Sequence, residues 1–351
     1  MYRDVAFALA GLGGFNAHGA GFLTAASELD VRPRMITVTS GQIVVLAAWL
    51  RNLDLKEELI KPDSAEGLFG TLRILLKGMP GVFRPAFREG FARWFTWPGS
   101  SDSLFEILAD RLMPAQLYVP ERPDSFFSGM EELFNGTKDI GIVFNAFDPA
   151  TGEGKLFGND AARDCWPSES KLTRTKPSAG KVIAQPQKKT ALEPITAEAL
   201  KAALWLSLYG FDKTPLNLID GAYHRACIVS ELYSFKTIFA VRPLAKGWGS
   251  RLPGNYFDVE DWQTEMWFSV GYKAEVEGMK RINDLIFDNK LASDDFGYID
   301  LVEVTPVTPA GYFNYFTERE KVFDDAYAEG LQKLKAELGL GASKGSEAAM
   351  A

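Results

Sequence analysis

Ser40 is the residue of this sequence whose type and position most suggest reactive chemistry. It follows the apolar residues 35–38 after a single threonine, and Gly41 and a second apolar segment come next. A serine at a sharp strand-to-helix turn projects its hydroxyl above the edge of a sheet, and the helix directs its first amide groups to the same place. Because serine is also favoured as a helix N-cap, Ser40 alone fits a cap better than a nucleophile.

A glycine-rich turn near the start of the sequence has the composition of an anion site. Gly11-Leu12-Gly13-Gly14 follows the apolar residues 5–10 and precedes a segment of small residues. Glycines here let backbone amides closely approach a phosphate or a developing oxyanion. A dinucleotide-binding loop would need another glycine where Asn16 stands, and its acidic partner would be Asp30. The loop alone is therefore compatible with an oxyanion hole and, less well, with a dinucleotide-binding site.

Asp220 supplies a carboxylate after another expected strand. Asp220-Gly221-Ala222 follows residues 216–219, which we expect to form that strand. An isolated Asp-Gly is best explained as an ordinary turn. A carboxylate at a strand end can also accept a proton from a serine when it is held in a partly dry site.

Two histidines offer the other way to activate a serine. His18 lies early in the first expected helix, and His224 lies four residues after Asp220. Each is better explained as a surface or packing residue, since histidine serves many structural roles. A histidine-based triad is therefore the less favoured option, and His18 can still line the pocket.

Ser343 lies in a sequence pattern typical of hydrolases, Gly341-Ala342-Ser343-Lys344-Gly345. The pattern works only through the backbone geometry of a strand-to-helix turn. Residues 339–351 are small and polar without an apolar face, so we expect a disordered tail. Ser343 is therefore not expected to react.

The composition is that of a folded globular protein. The chain has 351 residues, 46% of them hydrophobic, a formal net charge of −8, two cysteines and two histidines. These values argue against a nucleic-acid binder, a disulfide scaffold and a histidine-rich metal site. Because we see neither a signal peptide nor a spanning helix, we expect a cytoplasmic protein that can contact a membrane surface peripherally.

The order of expected elements indicates an α/β fold. Strand, tight turn and helix occur twice within the first 53 residues, which is typical of a parallel sheet. We expect one domain over residues 1–338. Strands are expected at residues 5–10, 35–39, 116–119, 140–147, 237–241 and 301–304, and helices at 17–29, 43–53, 196–208, 262–289 and 317–338.

Two segments interrupt this alternation. Residues 66–112 form an expected flap or lid, because residues 72–97 combine Phe, Trp and Arg with glycines and prolines that break a continuous helix. Its aromatic and basic side chains would cover a pocket or contact anionic lipid. Residues 167–194 are rich in Lys, Pro, Ser and Gln, and we expect them to form a mobile basic loop.

Taken in chain order, the three motifs resemble the patatin-like phospholipase family. The resemblance continues through residues 140–157 and 197–208. It implies a three-layer α/β sandwich with a mainly parallel central sheet, and it implies no metal or organic cofactor. It also implies site residues: a catalytic dyad of Ser40 and Asp220, and an oxyanion hole formed by the amides of Gly11, Gly13 and Gly14.

Four positions depart from the family pattern. Val38 and Gln42 replace the glycines that usually flank the serine, and Phe15 and Asn16 replace a basic residue and the last glycine of the first motif. These departures motivate a second interpretation, in which the protein is a catalytically silent scaffold that binds lipid or protein. The leading interpretation is a serine hydrolase for lipid or small-molecule acyl esters, with no nucleic-acid partner. A dinucleotide-dependent oxidoreductase is the third.

Overall fold

The computed structural model describes nine stretches of the chain. They are residues 2–11, 16–61, 76–78, 81–89, 116–166, 191–243, 252–291, 297–305 and 318–340. Gly13, Gly14 and the Ser343 pattern lie outside them, as do most of the expected flap and residues 167–190.

The described strands build one mainly parallel sheet, as the sequence predicts. The strands are β1 Tyr2–Leu9, β2 Pro33–Val38, β3 Phe83–Pro85, β4 Tyr118–Pro120, β5 Gly141–Phe147, β6 Gly154–Gly158, β7 Leu192–Pro194, β8 Ile219–Asp220, β9 Thr237–Val241 and β10 Asp300–Val304. The sheet order is β10-β9-β1-β2-β5-β6-β7, with β8 paired to β5. The five strands from β10 to β5 run parallel, while β6 and β8 run antiparallel to β5.

Helices cover both faces of this sheet, which makes the fold a mixed α/β architecture. Alternate residues of a strand face opposite sides, so Phe7 of β1 belongs to one hydrophobic cluster and Ala8 to the other. The helices are α1 Ala17–Glu28, α2 Gln42–Leu50, α3 Asp124–Gly136, α4 Asp160–Cys165, α5 Ala197–Ala203, α6 Tyr256–Phe287 and α7 Arg319–Glu337. The first cluster includes residues of α1, α2, α3, α5 and α7, and the second includes residues of α4 and α6.

Close packing of α1 and α7 holds the first layer against the centre of the sheet. The rings of Phe7 and Phe22 lie 4.9 Å apart, and that of Phe239 lies 5.8 Å from Phe7. A β-carbon at Gly21 would lie 2.2 Å from the Phe323 carbonyl oxygen, so the two helices approach closely there because residue 21 is glycine. This packing fixes β1, and with it the turn that follows β1.

Two expected elements are only about half as long as the sequence predicts. The helix expected over 196–208 ends at Ala203, and the Trp205 carbonyl accepts the Asp220 amide instead of continuing the helix. The strand expected over 216–219 is wrong for residues 216 and 217, because they belong to a 3₁₀ turn that begins at Pro215. Proline has no amide hydrogen and a fixed φ, which favours such a turn.

The expected flap and basic loop are described only in part. The flap strand β3 pairs with β4, which follows the flap, in a separate two-stranded sheet. The Phe83 ring of β3 lies 4.9 Å from the Tyr118 ring of β4. At the end of the basic loop, β7 pairs with β6. No helix in the described part of the chain combines the length and apolar character needed to cross a membrane. The domain boundaries stay predictions.

Candidate active site

Ser40 lies in the turn between β2 and α2, with its side chain directed at Asp220. Its Oγ donates a hydrogen bond to Asp220 Oδ2 at 2.5 Å across 180 residues of sequence. Its φ is +56°, a left-handed conformation that side chains adopt at a cost of about 1 kcal/mol or more. The N-cap of α2 is Gly41, and α2 has no side-chain cap. The helix-cap interpretation of Ser40 is therefore wrong, because its hydroxyl contacts Asp220 and not the amides of α2.

Asp220 reaches the same edge of the sheet from a different strand. It pairs with Ala146 near the carboxyl end of β5, and β5 runs parallel to β2. Its Oδ1 accepts a hydrogen bond from the Ala222 amide at 2.9 Å. Burial raises the pKa of this carboxyl to about 7, although the hydrogen bonds from Ser40 and Ala222 oppose the shift. A carboxyl with such a pKa can both accept and return a proton near neutral pH.

Gly11 provides space beside Ser40. A β-carbon at position 11 would lie 2.5 Å from the Thr39 carbonyl oxygen and 2.7 Å from Ser40 Cβ. The Gly11 amide already donates to the Ala226 carbonyl at 2.8 Å, so here this glycine contributes room and not an oxyanion donor. The donor role expected for Gly13 and Gly14 stays a prediction, because both lie outside the described residues.

The unusual Gln42 is accommodated by a neighbouring helix. A β-carbon at Gly19 of α1 would lie 2.0 Å from Gln42 Oε1, so glycine at position 19 makes room for the amide. Gln42 Nε2 lies 2.8 Å from His18 Nε2, and it donates to the Ala10 carbonyl at 3.4 Å. The Gln42 side chain therefore fits beside α1 because residue 19 is a glycine.

Neither histidine is arranged as the base of a triad. His18 is fully buried, its Nε2 lies 2.7 Å from the Ala10 carbonyl oxygen, and burial lowers its pKa to about 3. A group with that pKa is a weak base at neutral pH. His224 stacks on Phe147, with ring centroids 5.3 Å apart and an interplanar angle of 2°. The packing interpretation fits both.

Asn145 is a buried side chain that the sequence did not single out as functional. Its Nδ2 donates to the Gly221 carbonyl at 3.2 Å and to the Arg225 carbonyl at 2.8 Å, and so holds the turn that follows Asp220. A β-carbon at Gly221 would lie 2.3 Å from the Asn145 side chain. A polar residue within the otherwise apolar β5 is the one signal that could have identified it.

An ion-pair cluster fixes the other end of that turn. Arg225 pairs with Glu231 and with Glu275 of α6, each at 2.6 Å. Although burial opposes its charge, the two carboxylates together raise the pKa of Arg225. The Glu275 carboxylate also accepts the amides of Val229 and Ser230. The position of Asp220 therefore depends on β5 and α6 together.

The geometry argues against the dinucleotide interpretation. Asp30 precedes β2, whereas Gly11 follows β1, and these two strands are parallel. Gly11 therefore lies at the carboxyl ends of these strands and Asp30 at their amino ends, so a cofactor bound to the glycine loop would not contact Asp30. Among the residues that the structure describes, no group of three or more His, Cys, Asp or Glu side chains could hold a metal ion.

Comparisons with known proteins give this chain no family. No protein-family model matches it, and no curated protein does so. Among solved structures, that of VipD from Legionella pneumophila matches with a TM-score of 0.35 and 10% sequence identity, over 95% of this chain and 67% of that chain. Any function assigned to this mixed α/β protein must therefore come from its own side chains.

Proposed function

We propose that this protein is a serine hydrolase of acyl esters, with Ser40 as nucleophile and Asp220 as its base. The observation that carries the proposal is the hydrogen bond from Ser40 Oγ to Asp220 Oδ2. It joins two buried side chains at the carboxyl edge of a mainly parallel sheet, where ligands bind in α/β proteins. The left-handed φ of Ser40 adds support, since strained residues cluster at active sites.

The reaction follows from the two side chains. As Ser40 Oγ bonds to the ester carbonyl carbon, its proton passes to Asp220, and the carbonyl oxygen becomes an oxyanion. The carbon–oxygen bond to the alcohol breaks, and Asp220 returns the proton to the leaving alcohol. Water then gives a proton to Asp220 as its oxygen bonds to the acyl carbon of the acyl-serine. The bond from that carbon to Ser40 Oγ breaks, which releases the carboxylic acid, and Asp220 returns its proton to Oγ. The amides of Gly13 and Gly14 are the expected oxyanion donors.

The raised pKa of Asp220 suits it to this cycle. A carboxylate of ordinary pKa is a weak base toward a serine hydroxyl, and burial makes Asp220 a stronger one. At a pKa of about 7 the carboxyl is partly ionised at neutral pH and can also release its proton quickly. One residue can therefore serve as base and then as acid.

The resemblance to patatin-like phospholipases extends the proposal to substrate. It favours fatty-acyl esters, including lipids. Phe83 of the flap packs against the hydrophobic cluster that includes Tyr118 and Ile219, and this supports a pocket-covering role for the flap because Ile219 immediately precedes Asp220. Because Gln42 fits opposite Gly19, the strand-to-helix turn that holds Ser40 forms with glutamine at position 42, and this supports an active enzyme over a silent scaffold.

Turnover of a soluble ester tests the proposal. Hydrolysis of p-nitrophenyl butyrate should be lost in Ser40→Ala and in Asp220→Asn, while Ser128→Ala on α3 should match the unchanged protein. The silent scaffold predicts equal rates, at the uncatalysed level, for every protein. Loss of activity in the Ser40 and Asp220 variants, with their folding intact by circular dichroism, would support the hydrolase.

A further inference from the structure

A small cleft lies between the β3–β4 sheet, α3 and residues 204–209. Its lining includes Pro120, Phe127, Trp205, Tyr209 and two basic side chains, Arg122 and Lys201. Its volume is about 30 Å³, and one water molecule needs about 10–15 Å³. The cleft therefore has room for a compact polar group.

Arg122 brings an uncompensated positive charge to this cleft. No carboxylate pairs with its guanidinium within the described stretches, and the group lies over the Phe126 ring, 5.0 Å from the centroid. Burial lowers the pKa of Arg122 to about 10, and the nearby Tyr209 only partly opposes the shift. Lys201 differs, because it pairs with Asp124 at 3.0 Å and Glu198 at 3.8 Å. Arg122 is half-buried, so an anion bound beside its guanidinium would form a charge-assisted pair that is partly shielded from water.

The backbone holds Arg122 in this place. The amide of Glu121 donates to the Val82 carbonyl at 3.0 Å, which ties the preceding residue to the β3 side of the cleft. Pro123 follows as the N-cap of α3. Arg122 is thus confined between two fixed neighbours and can present its guanidinium without ordering a loop.

Two aromatic residues link the cleft to Asp220. Trp205 lines the cleft, and its carbonyl accepts the Asp220 amide at 2.9 Å. Tyr209 also lines the cleft; burial raises its pKa, the charge of Arg122 opposes this shift and that of Asp220 adds to it. The cleft therefore adjoins the backbone of Asp220, whose side chain accepts the Ser40 hydrogen bond.

We propose that this cleft binds the anionic group of the substrate, a phosphate or a carboxylate, through the guanidinium of Arg122. The role in substrate binding rests on the proposed hydrolase function, whereas anion binding itself does not. The planar guanidinium can donate two parallel hydrogen bonds to either anion, which an ammonium group cannot. The protein would then prefer acyl esters that carry a negative charge over neutral esters of the same chain length.

Binding measured without turnover tests this site separately from catalysis. Ser40→Ala protein would be titrated calorimetrically with dihexanoyl phosphatidate below its micellar concentration, with inorganic phosphate and with neutral dihexanoylglycerol. Arg122→Gln in this background should weaken phosphatidate binding about tenfold or more, as expected for a lost charge-assisted pair. Arg122→Lys should fall between the two. Arg281→Gln removes the same charge at an exposed position of α6 and should change nothing.

The three probes also identify the source of the anion. Phosphate binding that depends on Arg122 would show that the free ion suffices, while binding of phosphatidate alone would assign the site to a lipid head group. Equal phosphatidate affinities for Arg122→Gln, Arg122→Lys and Arg281→Gln would overturn the proposal. If Arg122→Gln weakens binding but the unchanged protein turns over no ester, the anion site stands and the hydrolase function fails.

Discussion

Gly11 and Ser40 lie so close together that a β-carbon at position 11 would be 2.7 Å from Ser40 Cβ. The contact joins the turn after β1 to the turn after β2, which are adjacent because the two strands are parallel neighbours. It explains why a glycine stands in the turn that follows the first strand. Ser40 can occupy its observed position only because residue 11 has no side chain.

Gly11→Ala should therefore displace Ser40. The added methyl group also meets the Thr39 carbonyl oxygen at 2.5 Å, so the backbone must shift, at a cost of about 1–3 kcal/mol. Ester turnover should fall by about 100-fold, since small displacements of a reacting group have effects of that size. Urea unfolding and initial rates measure both. Gly271→Ala on α6 meets no atom within 4 Å and should keep full activity, so equal behaviour of the two variants would contradict this account.

Replacements at Ser40 should reveal the cost of its left-handed φ. Ser40→Gly should be more stable than Ser40→Ala by about 1 kcal/mol, because glycine adopts a φ of +56° freely. Ser128 in α3 is the matched control with the opposite sign, since alanine exceeds glycine there by about 1 kcal/mol. Chemical denaturation of the four variants gives both differences. If alanine were the more stable replacement at both positions, residue 40 would be unstrained.

Asn145→Ala should lose more activity than a control variant with the same loss of stability. The variant loses two hydrogen bonds to the turn after Asp220, which should cost on the order of 2 kcal/mol, and turnover should fall because the carboxylate is no longer fixed. Asn283 makes a similar pair of hydrogen bonds to Ile299, away from the proposed dyad. Asn283→Ala should lose similar stability and keep its kcat. Comparable kcat values in both variants would remove the positioning role of Asn145.

The pH dependence of turnover should follow Asp220. Because the reaction needs the ionised carboxylate, kcat/KM should rise as pH increases through about 7 and then level off. Initial rates in buffers of constant ionic strength measure this profile. A profile that rises near pH 4 instead would mean that the working base has an ordinary carboxyl pKa.

The same carboxyl should link folding to pH. Its pKa is 3.8 in the reference state and about 7 when folded, so the folded chain binds more protons between these values. The stability that protonation contributes is complete below about pH 4 and is lost as pH rises through 7. Between those pH values, Asp220→Asn should therefore gain stability relative to the unchanged protein, by a few kcal/mol. Exposed Asp139→Asn is the control, and a parallel gain there would contradict the assignment.

Much of the fold was predictable because its signals are local. The alternation of apolar strand and helix predicts β1, α1, β2 and α2 within a few residues of their bounds. Thr237–Val241 is predicted without error because a buried parallel strand is a continuous apolar run. In contrast, α3 was missed, since its three buried residues, Phe127, Met130 and Phe134, give a sparse apolar face.

The candidate site was less predictable, because its contacts are long-range. Residue types and order suggested Ser40 and Asp220, but their hydrogen bond depends on strands brought together by the whole sheet. Asn145 has only one local signal, its polar side chain within the apolar β5, and Arg122 has none, because the role of each depends on contacts with distant segments. The left-handed φ of Ser40 was likewise invisible, since serine has no preference for that conformation.

Covalent labelling by a fluorophosphonate tests the central claim most directly. The reagent is attacked by activated serines, and peptide mass spectrometry identifies the modified residue. The Ser40–Asp220 geometry predicts one adduct, at Ser40, that forms much more slowly in Asp220→Asn and disappears in Ser40→Ala. An adduct at Ser343 or another serine, together with ester turnover that survives Ser40→Ala, would contradict it.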